Sequence, residues 1–533
     1  MENPDAQAGN NSAIATTQLS YFMEDEDLLI IDEDDIDAQY WPGGACAQIL
    51  SEAFFHALHG IFDCFDRDQF LQELRRFPSR HHVLSRDLRR WLALANLMWA
   101  IASKWLHLAE LADNPDIESH SVYYARARAL GIDHRVMLDR QGLHGVKADG
   151  LLSFYLYLNG SISRAWSLVG LAIRNASCLG LHLRAVDDAT PSAQLMERSR
   201  LWYSLYNLEV VICEVLGKVP SISLSYTAVS INLLESVPSQ EQRDYSDDAD
   251  PRALWMKFIR YQRNMTQTMR GNHFAWQDFQ FIGYGAHQKY LRSRTHLSVI
   301  SNRIMAQLYL PSQVDTWAST QRKITQLHGQ LLEWENNLST DLKLQSDKAV
   351  SADPRAKIEL VTYYHSVQMV LFRPCLCHIR IPGESVTSKE FNLINARNCV
   401  KAAVSLIDIL PDDPTAHEAH QLLPWWNLLH YLGQTLAVFS LELSMNMEHV
   451  SSTMSLTPQI QKAMSYLWCL TANSKSSYKA WRIFRQMLLV LESRVDRFSV
   501  RGLQVEAHIP AGWTAIDEAL LIDALKSIAN SSS

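Results

Sequence analysis

Two apolar runs with helical spacing and glycine ends constrain the fold of this chain more than any other feature. Between Gly160 and Gly180, Ile162, Ala165, Trp166, Val169, Ala172, Ile173, Ala176 and Leu179 recur at steps of mostly three or four residues. That spacing puts side chains on one face of an α-helix. Arg164, Ser167, Arg174 and Asn175 take the other side, which Leu171 and Cys178 interrupt, so packing on more than one face is expected. Gly180 is placed to end this helix in the left-handed conformation. A second helix is expected from about Ala193 to Leu216, with Leu201, Trp202, Leu205, Leu208, Ile212, Val215 and Leu216 apolar. Gly217 caps it, and Pro220, which lacks an amide hydrogen, bars its continuation.

Further helical stretches are expected near 86–111, 253–270, 285–309, 313–338, 356–377, 390–409, 424–444, 457–471 and 474–497, and strand-like alternation is scarce. Loops rich in Asp, Ser and Pro are expected at 236–251, 340–355, 382–389 and 411–420. The pattern predicts an all-α fold, an irregular superhelical array of antiparallel helix pairs. The 533 residues, 47% hydrophobic, suffice for a large core. They divide into an acidic tail over 1–45 expected to be disordered, helical halves over 46–235 and 252–525, and a frayed end over 526–533. No apolar run is long enough to span a bilayer, so no membrane association is expected.

Charge is distributed unevenly. Residues 1–45 hold eleven acidic residues and no Lys or Arg, and the first basic residue is Arg67. The other 46 acids nearly balance the 49 basic residues, leaving the body at +3. A surface that grips duplex DNA ordinarily shows a basic stripe. Within residues 21–41, Tyr21, Phe22, Leu28, Leu29, Ile30, Ile31, Ile36 and Trp41 alternate with nine acids, the composition of disordered activation segments. A solvated tail is the alternative reading. A third is a tail folded back onto a basic groove. One basic cluster, Arg75, Arg76, Arg80, Arg86, Arg89 and Arg90 with His81 and His82, reads first as a solvated helix face. It could otherwise serve nuclear import, hold the acidic tail or touch nucleic acid.

No catalytic, cofactor or metal site is expected. The eight cysteines are scattered, and Cys375 and Cys377, the closest pair, have one residue between them, which reads as packed reduced thiols rather than zinc ligands. Asp34, Asp35 and Asp37, and Asp247, Asp248 and Asp250, have the letters of magnesium-binding motifs but fall in segments read as unstructured. His56 and His59 share one helical turn without an acidic or thiol partner beside them. Glycine-rich phosphate loops, G-x-S-x-G and H-E-x-x-H are absent.

The stretch Gly160–Arg184 carries an Ala-Trp pair (Ala165, Trp166), a Gly-x-Ala-Ile-Arg core (Gly170, Ala172, Ile173, Arg174) and a closing Gly180, Leu181 and His182. It resembles the middle homology region of fungal binuclear zinc cluster regulators, the fungal-specific transcription factor domain. Leu183 stands where that family often has arginine, and Arg184 follows one place late. Arg200–Ile222 is similar to the next family segment through Arg200, Trp202, Leu205, Tyr206, Leu208, Gly217, Pro220 and Ile222. There Glu209 replaces aspartate, Lys218 arginine and Val219 the first proline. Leu327–Leu338 resembles a leucine-tryptophan helix, Tyr363–Leu376 a segment with Arg373 and Pro374 in place, and Phe54–Phe65 the aromatic opening helix.

The resemblance implies a nuclear regulator of RNA polymerase II transcription, acting on a metabolic gene set. The family's six-cysteine zinc cluster has no counterpart in residues 1–100, where Cys46 and Cys64 are the cysteines present. The chain would then act through a partner bearing the cluster, or be the remnant of a longer gene product, and a homodimer is a further expected assembly. A coactivator would meet residues 21–41, and a small-molecule inducer is a further expected partner. A sensing or scaffold protein outside transcription is the alternative, and a helical magnesium-dependent enzyme a third. Of the signature residues, Trp166 and Trp202 are expected as buried anchors, Gly170 and Gly180 as sites of close approach and capping. Arg174 and Glu209 are read either as an interhelical pair or as separate surface charges.

Overall fold

The computed structural model describes residues 21–24, 28–58, 61–76, 84–112, 115–132, 142–184, 192–222, 226–235, 284–310, 316–339, 342–343, 355–377, 383–445, 448–450, 455–495 and 498–530. Among them the chain is all-α, with no strand. The expected helix over 253–270 and the acidic motif at 247–250 lie outside the described residues.

The first half holds α1 (Gly44–Leu58), α2 (Arg67–Arg76), α3 (Arg86–Leu108), α4 (His120–Ala127), α5 (Leu143–Leu158), α6 (Ile162–Cys178) and α7 (Ser192–Leu216). The second holds α8 (Tyr284–Ile304), α9 (Trp317–Asn336), α10 (Arg355–Leu376), α11 (Val386–Ile409), α12 (Ala416–Leu422), α13 (Leu428–Ser444), α14 (Thr457–Leu470), α15 (Lys475–Glu492) and α16 (Ala515–Asn530). Successive helices pack on each other, α3 on α4, α5 on α6, α10 on α11 and α14 on α15. Two expected loops are shorter than their composition suggests. Ser385 accepts the Ser388 amide and starts α11 inside 382–389, and Thr415 does the same for Glu418 and α12 inside 411–420.

Two hydrophobic cores result. The first is centred on α3, whose residues Leu92 to Leu106 are all buried, with α1, α5, α6 and α7 around it. The second gathers α9, α10, α11, α13, α14 and α15. Helix α8 belongs to both, giving Leu291 and Val299 to the first core and Tyr290, Leu297, Ile300 and Ile304 to the second. A residue of α8 that faces the seam cannot turn to water: Arg303 near the end of the helix is exposed, but Arg294 in its middle is 1% exposed.

That arginine is neutralised inside. Arg294 Nε donates to Glu359 Oε1 at 3.0 Å, Nη1 donates to Ser298 Oγ at 2.7 Å, and the guanidinium lies 3.4 Å over the Tyr363 ring. Tyr290 donates its hydroxyl to Glu359 Oε2 at 2.6 Å, and Tyr363 donates to Glu214 Oε1 at 2.7 Å. Ser301 also donates to Glu214, whose carboxyl burial pushes above the usual range. Helices α7, α8 and α10 are thereby joined by one buried polar network across the seam of the two cores.

Candidate functional site

The signature residues form the frame of the first core. Gly180 (φ 69°) and Gly217 (φ 63°) both adopt the left-handed conformation just beyond α6 and α7. Trp202 is buried, with its ring 5.6 Å from that of His182, whereas Trp166 is half-buried under Lys218 Nζ, 3.8 Å from its ring centre. Close approach is not what Gly170 provides: a methyl group there would meet only Arg174 side-chain nitrogens, at 3.7 and 3.8 Å. Tyr206 is fully buried and accepts a 3.4 Å hydrogen bond from Asn302.

Arg174 and Glu209 differ: the first is a surface charge and the second is not. Arg174 is exposed, but Glu209 is 1% exposed and its carboxylate is occupied by the chain just past Pro220. It accepts from the Ser221 amide at 2.8 Å, the Ser221 hydroxyl and the Ile222 amide at 3.2 Å. A carboxylate at this position fastens a backbone that Pro220 has turned out of the helix. Arg200 is also engaged: it forms a partly buried ion pair with Asp63 and donates from Nε to the Asp63 carbonyl at 3.1 Å, tying α7 to the link between α1 and α2. Asp63 was not singled out from the sequence.

Arg373 and Pro374 find their explanation in Tyr309, another residue without a sequence signal. Pro374 lies within α10 and has no amide hydrogen to donate to the Val370 carbonyl one turn back. The Tyr309 hydroxyl donates to that oxygen instead, at 2.5 Å, while the Arg373 guanidinium lies 4.8 Å from the Tyr309 ring centre. Tyr309→Phe is expected to lower unfolding free energy by about 1 kcal/mol, by orphaning the carbonyl and keeping the ring. Urea denaturation checks this, and an unchanged midpoint would count against the replacement bond.

The acidic segment is where the structure departs most from expectation. The disorder expected over 1–45 does not hold for residues 21–24 and 28–45, which have a described placement against the body; residues 1–20 and 25–27 lie outside the described residues. The Ser476 hydroxyl, at the start of α15, accepts from the Met23 amide at 2.7 Å and donates to the Met23 carbonyl at 3.0 Å. Two glycines make the seat. A Cβ at Gly160 would lie 1.9 Å from the Met23 carbonyl oxygen, and one at Gly433 would lie 2.4 Å from the Tyr21 hydroxyl. Further along, Leu28 is buried, Arg128 Nη2 donates to the Ile31 carbonyl at 2.5 Å, and Arg128 pairs with Glu33 at 3.5 Å. Tyr40 lies under Arg126, 4.3 Å away, and Trp41 stacks on Trp91 with its edge to Trp99. The arginines met here are Arg126, Arg128 and, 3.8 Å from Glu24, Arg164.

The segment thus sorts its own side chains. Tyr21, Phe22, Leu28 and Trp41 anchor it, whereas Leu29 is 56% and Ile30 75% exposed, beside exposed Asp32, Asp34, Asp35 and Asp37. The Arg75, Arg76, Arg86, Arg89 and Arg90 side chains are exposed at the end of α2 and the start of α3; Arg80, His81 and His82 lie outside the described residues.

Other chemistry is sparse. Among the described residues no group of three or more His, Cys, Asp or Glu is placed to hold a metal ion. No described helix is long and apolar enough to cross a membrane. His56 is buried with its Nδ1 3.2 Å from Arg355, and His59 lies outside the described residues. Five cysteines are buried, Cys469 is intermediate, and Cys178 and Cys377, which were read as packed, are exposed.

Comparison with known proteins fits this frame. "Transcription regulator galc" of Aspergillus niger is 24% identical over 510 residues, 88% of this chain and 60% of its own length. "Transcription factor FBD3" of Gibberella moniliformis is 25% identical over 66% of this chain and 44% of its own. "Sorbicillinoid biosynthetic cluster transcription factor 2" of Penicillium rubens is 22% identical over 73% of this chain and 53% of its own. The chain therefore spans less than two thirds of the length of these relatives. No solved structure matches it. The family model described as "Fungal specific transcription factor domain" matches residues 52–336, more than half of the chain, and the protein belongs to that family of fungal transcription regulators.

Proposed function

We propose that this chain is a nuclear effector of RNA polymerase II transcription whose helical body displays the acidic segment 21–41 to a coactivator. The observation that carries this reading is the sorting of that segment: anchored by its aromatic residues, it leaves Leu29 and Ile30 in water among four exposed aspartates. An apolar pair ringed by acids suits a partner groove with a basic rim, where charge speeds encounter and the apolar contact holds. The halves 46–235 and 252–525 act as one body in this reading, supported by a helix and a polar network shared between the cores. A partner that carries a zinc cluster is one route to DNA in this reading. Relatives named for a biosynthetic gene cluster support a metabolic gene set as the target.

The test is a reporter assay with the chain tethered to a foreign DNA-binding domain. Deleting 21–41 should abolish most of the transcription, and Leu29→Ala with Ile30→Ala should reduce it about ten-fold without lowering thermal stability, since both side chains are exposed. Unchanged reporter output in both variants would refute the display role.

A further inference from the structure

A small cavity of about 90 Å³ lies at the seam of the two cores, and Phe22 of the acidic segment forms part of its wall. We propose that this cavity is a binding slot for a small aromatic carboxylate, which enters by displacing the Phe22 ring and so lifts residues 21–24 from the body. The inference concerns the docked geometry and holds whether or not the segment recruits a coactivator.

The walls divide by chemistry. Trp425, Trp426, Leu108 and Leu470 supply flat and branched apolar surface suited to a ring. Lys104, only 7% exposed, lines the same space and donates to Asn159 Oδ1 at 2.8 Å. His420 is also a wall residue, but burial holds its pKa down to about 4, so the imidazole is neutral near pH 7 and the positive charge comes from Lys104. The start of α15, an 18-residue helix, also lines it, with Ser474 as its cap and Ser476 and Ser477 in its first turn. Amide dipoles and hydroxyls at a helix start favour an anion. A ring on indoles with its carboxylate toward an ammonium and a helix start matches these groups of the wall.

The acidic segment already imitates half of such a ligand. Phe22 supplies a ring, and the Met23 backbone uses the Ser476 hydroxyl in both directions. With Phe22 in place the cavity, which is partly open to solvent, is smaller than the roughly 150 Å³ that holds one benzene in an engineered core. To bury its ring between the indoles, a ligand with a carboxylate needs the space that Phe22 fills. Ligand and docked segment exclude each other, and each shifts the population of the other.

Isothermal calorimetry on the full chain tests this with 3-phenylpropionate and its neutral counterpart, 3-phenyl-1-propanol. The acid should bind the natural chain weakly and Phe22→Ala about ten-fold more tightly, because the variant removes the competing ring. On Phe22→Ala the acid should bind at least about ten-fold more tightly than the alcohol, the effect of one charge-assisted contact. Lys104→Met in that background should erase the preference. Equal binding of the acid to the natural chain and to Phe22→Ala, equal binding of acid and alcohol, or binding of neither, overturns the proposal. The comparison of acid with alcohol needs no change at Lys104, so it stands even if Lys104→Met fails to fold.

Discussion

Arg294→Met is expected to lower the unfolding free energy by about 3–5 kcal/mol. Arg294 and Glu359 are 1% and 0% exposed, so the change strands a carboxylate among apolar helices with the Tyr290 hydroxyl remaining of the contacts described above. Water cannot reach the site to replace the guanidinium. Methionine fills much of the volume, which separates loss of charge from loss of packing. The pair variant Arg294→Met with Glu359→Leu should recover most of the stability, because two desolvated charges are then removed together. Recovery should be incomplete, since Tyr290 loses its acceptor. Urea unfolding of the two variants measures both. A single variant as stable as the natural chain would mean that the seam admits water.

Acid should weaken the fold through His420. The residue is 8% exposed and its pKa is lowered from 6.5 to about 4, first by burial and then by Lys104 and His417, against the Ala416 carbonyl, which raises it. In the unfolded chain the ring takes a proton as pH falls through 6.5, whereas the folded chain resists protonation until about 4. Stability is therefore intact above 6.5 and declines as pH drops across this window. The loss reaches about 3 kcal/mol from this one residue. His420→Asn keeps a donor near the Ala416 carbonyl without a titrating ring. It should start less stable at pH 7 yet lose about 2–3 kcal/mol less than the natural chain on going to about pH 4.5. Equal losses in both chains would show that another group governs the acid transition.

The helices were legible because their signals are local. Apolar spacing in α6 and α7, and the glycines that close them, act within a turn or two of the residues they affect. The same locality explains the misreadings. Arg200 finds Asp63, 137 residues away, and Met23 finds Ser476, 453 residues away, so neither partner can be read from spacing. Pro374 announced a broken helical bond but not that Tyr309 would mend it. The composition of 21–41 suggested disorder because nine acids repel in an extended chain. What overcomes that repulsion is shape: glycines at 160 and 433 leave room for the Met23 carbonyl and the Tyr21 ring, and two arginines, 126 and 128, meet the segment farther on. A glycine that opens a seat for a distant segment carries the same letter as one that caps a helix. Arg294 left no trace: the spacing marks a helix over 285–309, and only the two cores that share it show that its middle is buried.

Hydrogen exchange of the full chain, followed by mass spectrometry, tests the docking of the acidic segment most directly. Peptides covering 21–41 should exchange well below the rate of the same peptide in isolation, with the Met23 amide among the slowest because it is bonded to Ser476. Exchange of the whole segment at the isolated-peptide rate, while α3 and α7 remain protected, would mean that it trails in solvent and that neither the sorted display of Leu29 and Ile30 nor the slot beneath Phe22 exists.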